Sequence, residues 1–407
     1  MRYSRHILLP LLVASLVGVA SLSACSDDDG PANNAPVEDP EAAEARRAVL
    51  SSLGDDVILA TYAEFEQKTD TLASAADAYA GSQSDADRQA VQDAWREAMN
   101  TWQRAEMFQI GPAGPMGAVV GGEDLRDQIY SWPIVNPCRV DQELVEQNYT
   151  DAESFASEPV NVRGLDAMEY LLFVEGTENA CAPNSSINTD GSWEALSADD
   201  ITSRRAAYAQ TLAANLAERA GELRQMWAAD GGNFLGEFST AGADSETYAT
   251  SQEALNAVSD AMFYLDKETK DMKLAQPTGL IDCVEDVCPE ERESLWADHS
   301  LANVRNNLVG FQQLLTGNED VDGSTGINTL LRDMGAGDLA DDLNARIDAA
   351  IAAVDAVDGT MAEALQNDPQ SVIDVYDATK SVTDIFKSQF FDVLDLEVPK
   401  RGEGDND

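Results

Sequence analysis

The chain has 407 residues, with 74 Asp and Glu against 26 Lys and Arg, only two histidines, and a formal net charge of −48. So acidic a surface repels nucleic acid and anionic lipid headgroups and excludes both as ligands. Proteins in salty water carry such surfaces too, so charge alone identifies no partner.

The chain opens with Arg2 and Arg5 ahead of an apolar run, Ile7 to Val19, that is too short for a stable spanning helix. The run ends in Leu22-Ser23-Ala24-Cys25, the pattern of a lipobox. Residues 1–24 therefore read as a lipoprotein signal peptide, and Cys25 as the lipidated mature N-terminus. Ser26 rather than Asp follows, which under the usual sorting rule points to the outer membrane over the inner. Residues 25–42 are rich in Asp and Pro without apolar periodicity, a flexible acidic tether. The expected location is the periplasmic face of the envelope, with membrane contact through a lipid anchor that does not span.

Helical periodicity fills the rest, and strand signals are few. The pattern predicts helices over residues 43–52, 55–81, 85–109, 125–131, 165–173, 198–230, 246–273, 300–315, 327–334, 338–366 and 369–393. Ser84 and Ser197 read as N-caps, and Gly81 and Gly231 as stops. The expected class is all-α. About 370 ordered residues are too many for one bundle, so the polar loop before Ser197 suggests two helical-bundle domains, 43–197 and 198–398, with a cleft between them and a disordered tail over 399–407. Both halves run long helix, long helix, Pro/Gly loop, short amphipathic helix, the order an internal duplication would leave. Apart from Cys25 there are four cysteines, an even number in an oxidising compartment, which reads as Cys283 with Cys288 and Cys138 with Cys181.

Chemistry-bearing residues are sparse. The mature chain has one histidine, His299, and no His-Glu-x-x-His, so zincin chemistry is excluded and a Ser-His-Asp or Cys-His site lacks its supporting motif. Trp95, Trp102 and Phe108 read as core, and Glu106 lies one turn past Trp102 on the same face. Arg163-Gly164-Leu165-Asp166-Ala167-Met168-Glu169-Tyr170-Leu171-Leu172-Phe173 places two carboxylates at i and i+3 on an otherwise apolar helix. Carboxylates aimed into a core need a cation or hydrogen-bond donors. Two readings stay open: ion pairs with Arg163 or Arg126, or a ligand site. Asn318 to Gly323 resembles the start of a calcium loop, but Thr329 stands where the bidentate glutamate belongs, so it reads as an acidic turn.

Several segments, in order, resemble the imelysin-like proteins, historically classed as M75 peptidases. They are Val57 to Tyr62, Trp95 through Glu106 to Gly111-Pro112, Ile129-Tyr130-Ser131-Trp132-Pro133, Arg163 to Phe173, Lys270 to Pro277, and His299 to Gly317. The resemblance implies two bundle-like domains with a site in the cleft, an envelope location, and a link to iron uptake. The family signature is Gly-x-His-x-x-Glu; here Gly164 and Glu169 match and Asp166 replaces the histidine. An Asp/Glu pair is a hard oxygen site, suited to iron(III) or calcium more than to zinc. The expectation is a non-catalytic binding protein for iron or another metal, with Asp166, Glu169 and Glu106 as ligands and Arg163, His299 and Ser300 on the rim. The alternatives are a metallopeptidase, or an adaptor docking on an outer-membrane uptake receptor.

Overall fold

Capping side chains set where the helices of the computed structural model begin. It describes residues 38–151 and 155–397. Cys25, most of the tether and the tail beyond 397 lie outside the described residues. Asp39 accepts from the backbone N–H groups of Glu41 and Ala42, and Pro40 opens α1 (Pro40–Ser52), so the tether ends a little earlier than expected. Ser84 caps α3 (Asp85–Ala105), and Ser197 with Asp200 forms a capping box for α7 (Ala198–Trp227), as the sequence indicates. Between α1 and α2 (Ala60–Ser82) the chain does not break at Gly54. It continues through a π-helical stretch, Leu53–Leu59, and α2 stops at Gln83 in the left-handed region.

The short helices α4 (Leu125–Ile129), α5 (Pro137–Glu146) and α6 (Gly164–Phe173) follow, and α6 is buried along its whole length. Two predicted long helices are divided. Residues 246–273 split into α8 (Ser251–Met262) and a π-helical segment, Leu265–Ala275, with Thr250 and Glu253 forming the capping box that starts α8. Residues 338–366 split into α10 (Gly337–Asp355) and a short helix that Thr360 and Glu363 cap. Thr360-x-x-Glu363, inside an apolar periodicity, marks the second division, whereas Thr250-x-x-Glu253 moves the start of α8 from 246 to 251. Helices α9 (Ser300–Thr316) and α11 (Pro369–Ile385) complete the set. Among the described residues there is no strand, and no helix is long and apolar enough to cross a membrane.

The all-α expectation holds, but the chain does not divide at Ser197. From Glu38 onward it forms one compact unit around a continuous core. Helix α7, just past the expected boundary, packs against α2 and α6 on its other side, where Tyr62 meets Trp227 edge to face at 5.9 Å. The polar loop before Ser197 marks a helix start, not a gap in the packing. Helices α3 and α9 cross at Gly310, where a Cβ would lie 2.5 Å from the Arg104 carbonyl oxygen. That close approach seats Asn307 against Gln103 near the C-terminal end of α3.

Both disulfides form as expected, Cys138–Cys181 and Cys283–Cys288. The first holds residues 43 apart, and the Ala180 N–H beside it donates to the buried Asp141 carboxylate at 2.7 Å. Replacing Cys138 and Cys181 together by serine is expected to cost about 2–4 kcal/mol of stability, because the unfolded chain regains the entropy of a long loop. Urea titration should show a smaller loss for Cys283→Ser/Cys288→Ser, whose loop spans 5 residues.

Candidate functional site

Six segments converge on a polar centre inside the apolar core. Helix α3 supplies Gln103, and its 3₁₀ extension supplies Glu106. Helix α4 supplies Arg126, followed by Tyr130, Ser131 and Trp132. Helix α6 brings Asp166 and Glu169; the Leu265–Ala275 segment brings Lys273, with Tyr264 just before it. The loop ahead of α9 contributes Glu293, and α9 itself Asn307. The π-helical winding of Leu265–Ala275 adds a residue per turn, so its side chains leave the register an α-helix would impose, a distortion common at functional positions.

Each carboxylate is already met by donors from the chain. Arg126 holds the buried Glu106 through Nε at 3.2 Å from both oxygens and Nη2 at 2.9 Å from Oε2, while its Nη1 donates to Trp132 O at 3.0 Å and Asp127 Oδ1 at 3.1 Å. Lys273 Nζ lies 2.8 Å from Glu293 Oε1 and donates to Gln103 Oε1 and Asn307 Oδ1, both at 2.8 Å. Tyr130 Oη and Gln103 Nε2 donate to the same glutamate oxygen at 2.7 and 3.0 Å. Asn307 closes the ring by donating to Gln103 O at 2.7 Å and Oε1 at 2.9 Å. The Lys273 ammonium also sits under two aromatic rings, 5.4 Å from the centroid of Trp132 and 5.1 Å from that of Tyr264.

Asp166 accepts from the Ser131 hydroxyl at 2.8 Å and from the Ala167 N–H at 3.0 Å. Glu169 accepts from the N–H groups of Trp296 and Ala297 at 3.0 and 2.9 Å, which pins the loop before α9 onto α6. Burial pushes both carboxyls up against these hydrogen bonds, Asp166 to about 7 and Glu169 to about 8, and Glu293 and Asp166 raise Glu169 further. Tyr130 is raised by burial and by facing Glu293, Asp166 and Glu169.

Gly164 fixes the start of this motif. Its φ is +87°, and a Cβ there would lie 2.8 Å from the Ile129 carbonyl oxygen. Ile129 immediately precedes the Tyr130-Ser131 pair, so the glycine sets the spacing at which Ser131 reaches Asp166. Gly164→Ala is expected to cost about 1–3 kcal/mol, from a disallowed backbone region and a backbone clash. Thermal denaturation would read the loss.

The expected rim is different. Arg163 does not pair with Asp166 or Glu169; its Nη1 donates to Ala156 O at 2.8 Å, because residue 163 lies just outside α6 in extended backbone and its side chain leaves on the other side. His299 donates to Asn100 Oδ1 at 2.9 Å with its ring edge-on to Trp95, and burial pushes its imidazole down to about 4, so it is neutral. Ser300 is buried, and its hydroxyl accepts from Ser294 N–H at 3.3 Å. Of the candidates, only Glu106, Asp166 and Glu169 belong to the polar centre. Lys273, Glu293, Gln103, Tyr130 and Asn307 were missed. Lys273 stood in the sequence only as part of the segment Lys270 to Pro277, and nothing local to Glu293 marks it for burial.

This donor set does not fit a resident metal ion. Glu106 is engaged by a guanidinium, and Asp166 and Glu169 by separate hydrogen-bond donors. Among the described residues, no group of three or more His, Cys, Asp or Glu side chains is arranged to hold a metal.

Over the Glu106–Arg126 pair lies a cleft of about 160 Å³, lined by Asp124, Arg126, Asp127, Trp132, Tyr264 and Glu268 together with apolar walls. The described residues thus form an all-α body with a buried charged centre assembled from segments far apart in the chain.

The family profile of imelysin, Peptidase M75, matches residues 58–388, and the chain belongs to that family. Two solved structures share the fold. One is an imelysin-like protein from Psychrobacter arcticum, and the other is described as an iron-regulated protein A precursor from Parabacteroides distasonis. Each is 18% identical, with a TM-score of 0.64, over 88% of this chain and 97% of the other. No curated protein sequence matches the chain.

Proposed function

We propose that this protein is a non-catalytic, lipid-anchored binding protein of the cell envelope that serves iron uptake without holding a metal at its Gly-x-Asp-x-x-Glu motif. The observation that carries this reading is the engagement of every motif carboxylate by the chain's own donors, with Arg126 clamped on Glu106. The motif then acts as an internal lock: Asp166 ties α6 to Ser131, and Glu169 ties it to the loop before α9. Recognition is left to the cleft above. The lipobox ending at Cys25 supports the envelope location, and the name of the Parabacteroides structure supports the iron connection. The neutral, half-buried His299 supports the absence of hydrolytic chemistry, since it is the mature chain's one histidine and is committed to Asn100.

Isothermal titration of the mature protein with Fe³⁺, Fe²⁺, Ca²⁺, Zn²⁺ and haem tests the metal part. The expected result is no binding that Asp166→Asn/Glu169→Gln removes. Tight binding lost in that variant would restore a metal site. Deleting the gene should slow growth of the host on chelated iron, with rescue by added iron; unimpaired growth would sink the iron assignment. Casein turnover abolished by Glu169→Ala would replace the non-catalytic reading with a peptidase.

A further inference from the structure

The loop that joins the Leu265–Ala275 segment to α9 holds three large apolar side chains out in solvent. Leu280, Ile281 and Val284 are 44%, 37% and 101% exposed. Large apolar side chains clustered in the open on one loop mark an interaction surface. Their backbone is fixed. The Leu280 N–H donates to Ala275 O at 2.9 Å and the Cys288 N–H to Pro277 O at 3.0 Å, while Cys283–Cys288 closes the tip. Gly279 has φ +79°, and a Cβ there would collide with the Asp286 carbonyl oxygen, so the two arms of the loop cross in contact. A disulfide that closes so short a loop adds little to the stability of the whole chain. Its effect is local: it holds Val284 outward. The stems stand on the polar centre, with Lys273 before the loop and, after it, Glu293 and the Trp296 and Ala297 N–H groups that meet Glu169.

The charge around the three apolar residues has one sign. Asp282, Glu285 and Asp286 are exposed beside them, and no Lys or Arg occurs between Lys273 and Arg292. Arg292 is committed to Asp298 and to the carbonyls of Pro289 and Leu295. Among the described residues none forms an ion pair with Asp282, Glu285 or Asp286. A protruding tip cannot enclose a small molecule, whose sites are concave. Its carboxylates repel an anionic lipid surface, and a second copy of this chain, at a formal net charge of −48, meets it with the same sign. A protein surface with an apolar socket and a basic rim matches the tip in both shape and charge. Because the backbone is already fixed, little ordering entropy opposes docking.

We propose that residues 279–288 form a docking knuckle, whose Leu280, Ile281 and Val284 enter an apolar socket rimmed by lysine or arginine on a partner protein. None of these residues lines the cleft over the Glu106–Arg126 pair, so the proposal goes beyond the reading above and adds a surface to it.

The test is photo-cross-linking in host cells that carry the full chain with Val284→p-benzoylphenylalanine, or with Val321→p-benzoylphenylalanine as an exposed apolar control elsewhere. Position 284 should yield one discrete product with a second protein, whose cross-linked peptide holds Lys or Arg among apolar residues. Position 321 should not yield it. Asp282→Asn/Glu285→Gln/Asp286→Asn should lower the yield about tenfold, and Leu280→Ser/Ile281→Ser about as much, with the urea midpoint unchanged because all five side chains are exposed. Cys283→Ser/Cys288→Ser should lower the yield about threefold, since the tip is then no longer held in its docking shape. The proposal is overturned by no product at 284, by a product shared with 321, or by a lipid or a second copy of this chain as the captured species. A cross-linked peptide without Lys or Arg, or a yield indifferent to the charge variant, overturns it equally. A missing product in a host whose deletion strain grows poorly on chelated iron overturns this inference alone and leaves the iron reading standing. A clear product in a host indifferent to the deletion does the reverse.

Discussion

Replacing Lys273 by methionine is expected to cost about 3–5 kcal/mol of stability, the loss typical of removing one partner from a buried ion pair. Lys273 is 1% exposed, and its removal strands Glu293, whose carboxylate would keep only the Tyr130 hydroxyl and the Gln103 amide as donors. Desolvation already pulls the Lys273 amine down from its usual value, and the nearby Glu293 and Glu106 push it back. The ammonium is thus held by its partners against its burial. The same substitution leaves Gln103 Oε1 with Asn307 as its one donor and weakens the crossing of α3 and α9. Lys273→Met/Glu293→Gln should recover part of the loss, because the uncompensated charge is gone. Urea unfolding followed by circular dichroism measures both. A single-variant loss below about 1 kcal/mol would show that the pair is not buried as a charged pair.

The second large effect is a pH dependence opposite in sign to that of most acidic groups. Asp166 and Glu169 have folded values of about 7 and about 8 against ordinary values of 3.8 and 4.5. Between those limits the folded protein binds more protons than the unfolded chain, so stability falls as pH rises. The loss begins near the ordinary carboxylate range and is complete above about 8. Each group contributes a slope of up to about 1.4 kcal/mol per pH unit inside its window. Asp141, raised by burial to about 6, adds to the lower part. Measured from pH 5 to 8, the wild type should lose stability, while Asp166→Asn/Glu169→Gln should lose much less and be the more stable protein at pH 8. Glu38, held low, loses its contribution only below the ordinary carboxylate range, whereas His299, at about 4 in the fold against 6.5, adds stability as pH rises to about 6.5 and offsets part of the loss there. A wild-type profile that rises with pH from 5 to 8 in parallel with the variant would show that both carboxyls ionise freely in the fold.

These two effects also show how the lock works. A chain with so many acids places four carboxylates at its centre, neutralises two with Arg126 and Lys273, and keeps two near their protonated forms by burial. Glu169, when protonated, still accepts from Trp296 and Ala297 through Oε1, so the tie to α9 survives the loss of its charge.

Much of this architecture is local in origin and was legible. The amphipathic spacing declared the helices, Ser84 and Ser197 declared where two of them start, and four cysteines outside the leader declared two disulfides. The apolar setting of Asp166 and Glu169 announced that both would be buried and would need partners. Gly164 ahead of them marked a backbone turn. Where local signals competed, the apolar periodicity masked the Thr360 cap, so two helices read as one, and the Thr250 cap, so α8 read as starting early.

Apart from Arg126, which the sequence offered as an ion-pair partner and which clamps Glu106 20 residues away, the partners were not legible, because they depend on side chains brought together from distant segments. Arg163 is one turn from Asp166 in sequence yet bonds to Ala156. Lys273 and Glu293 look like surface charges in their own segments and become buried only when α3, α6, α9 and the π-helical Leu265–Ala275 close around them. The sequence by itself determined the helical class, the disulfides and which carboxylates would go inside, since those follow from periodicity and from the cost of burying charge. Only the tertiary structure decided that the motif is met by a serine hydroxyl and backbone N–H groups, and that the open cleft lies beside Arg126. Desolvation demands a partner for a buried charge, but packing chooses which one arrives.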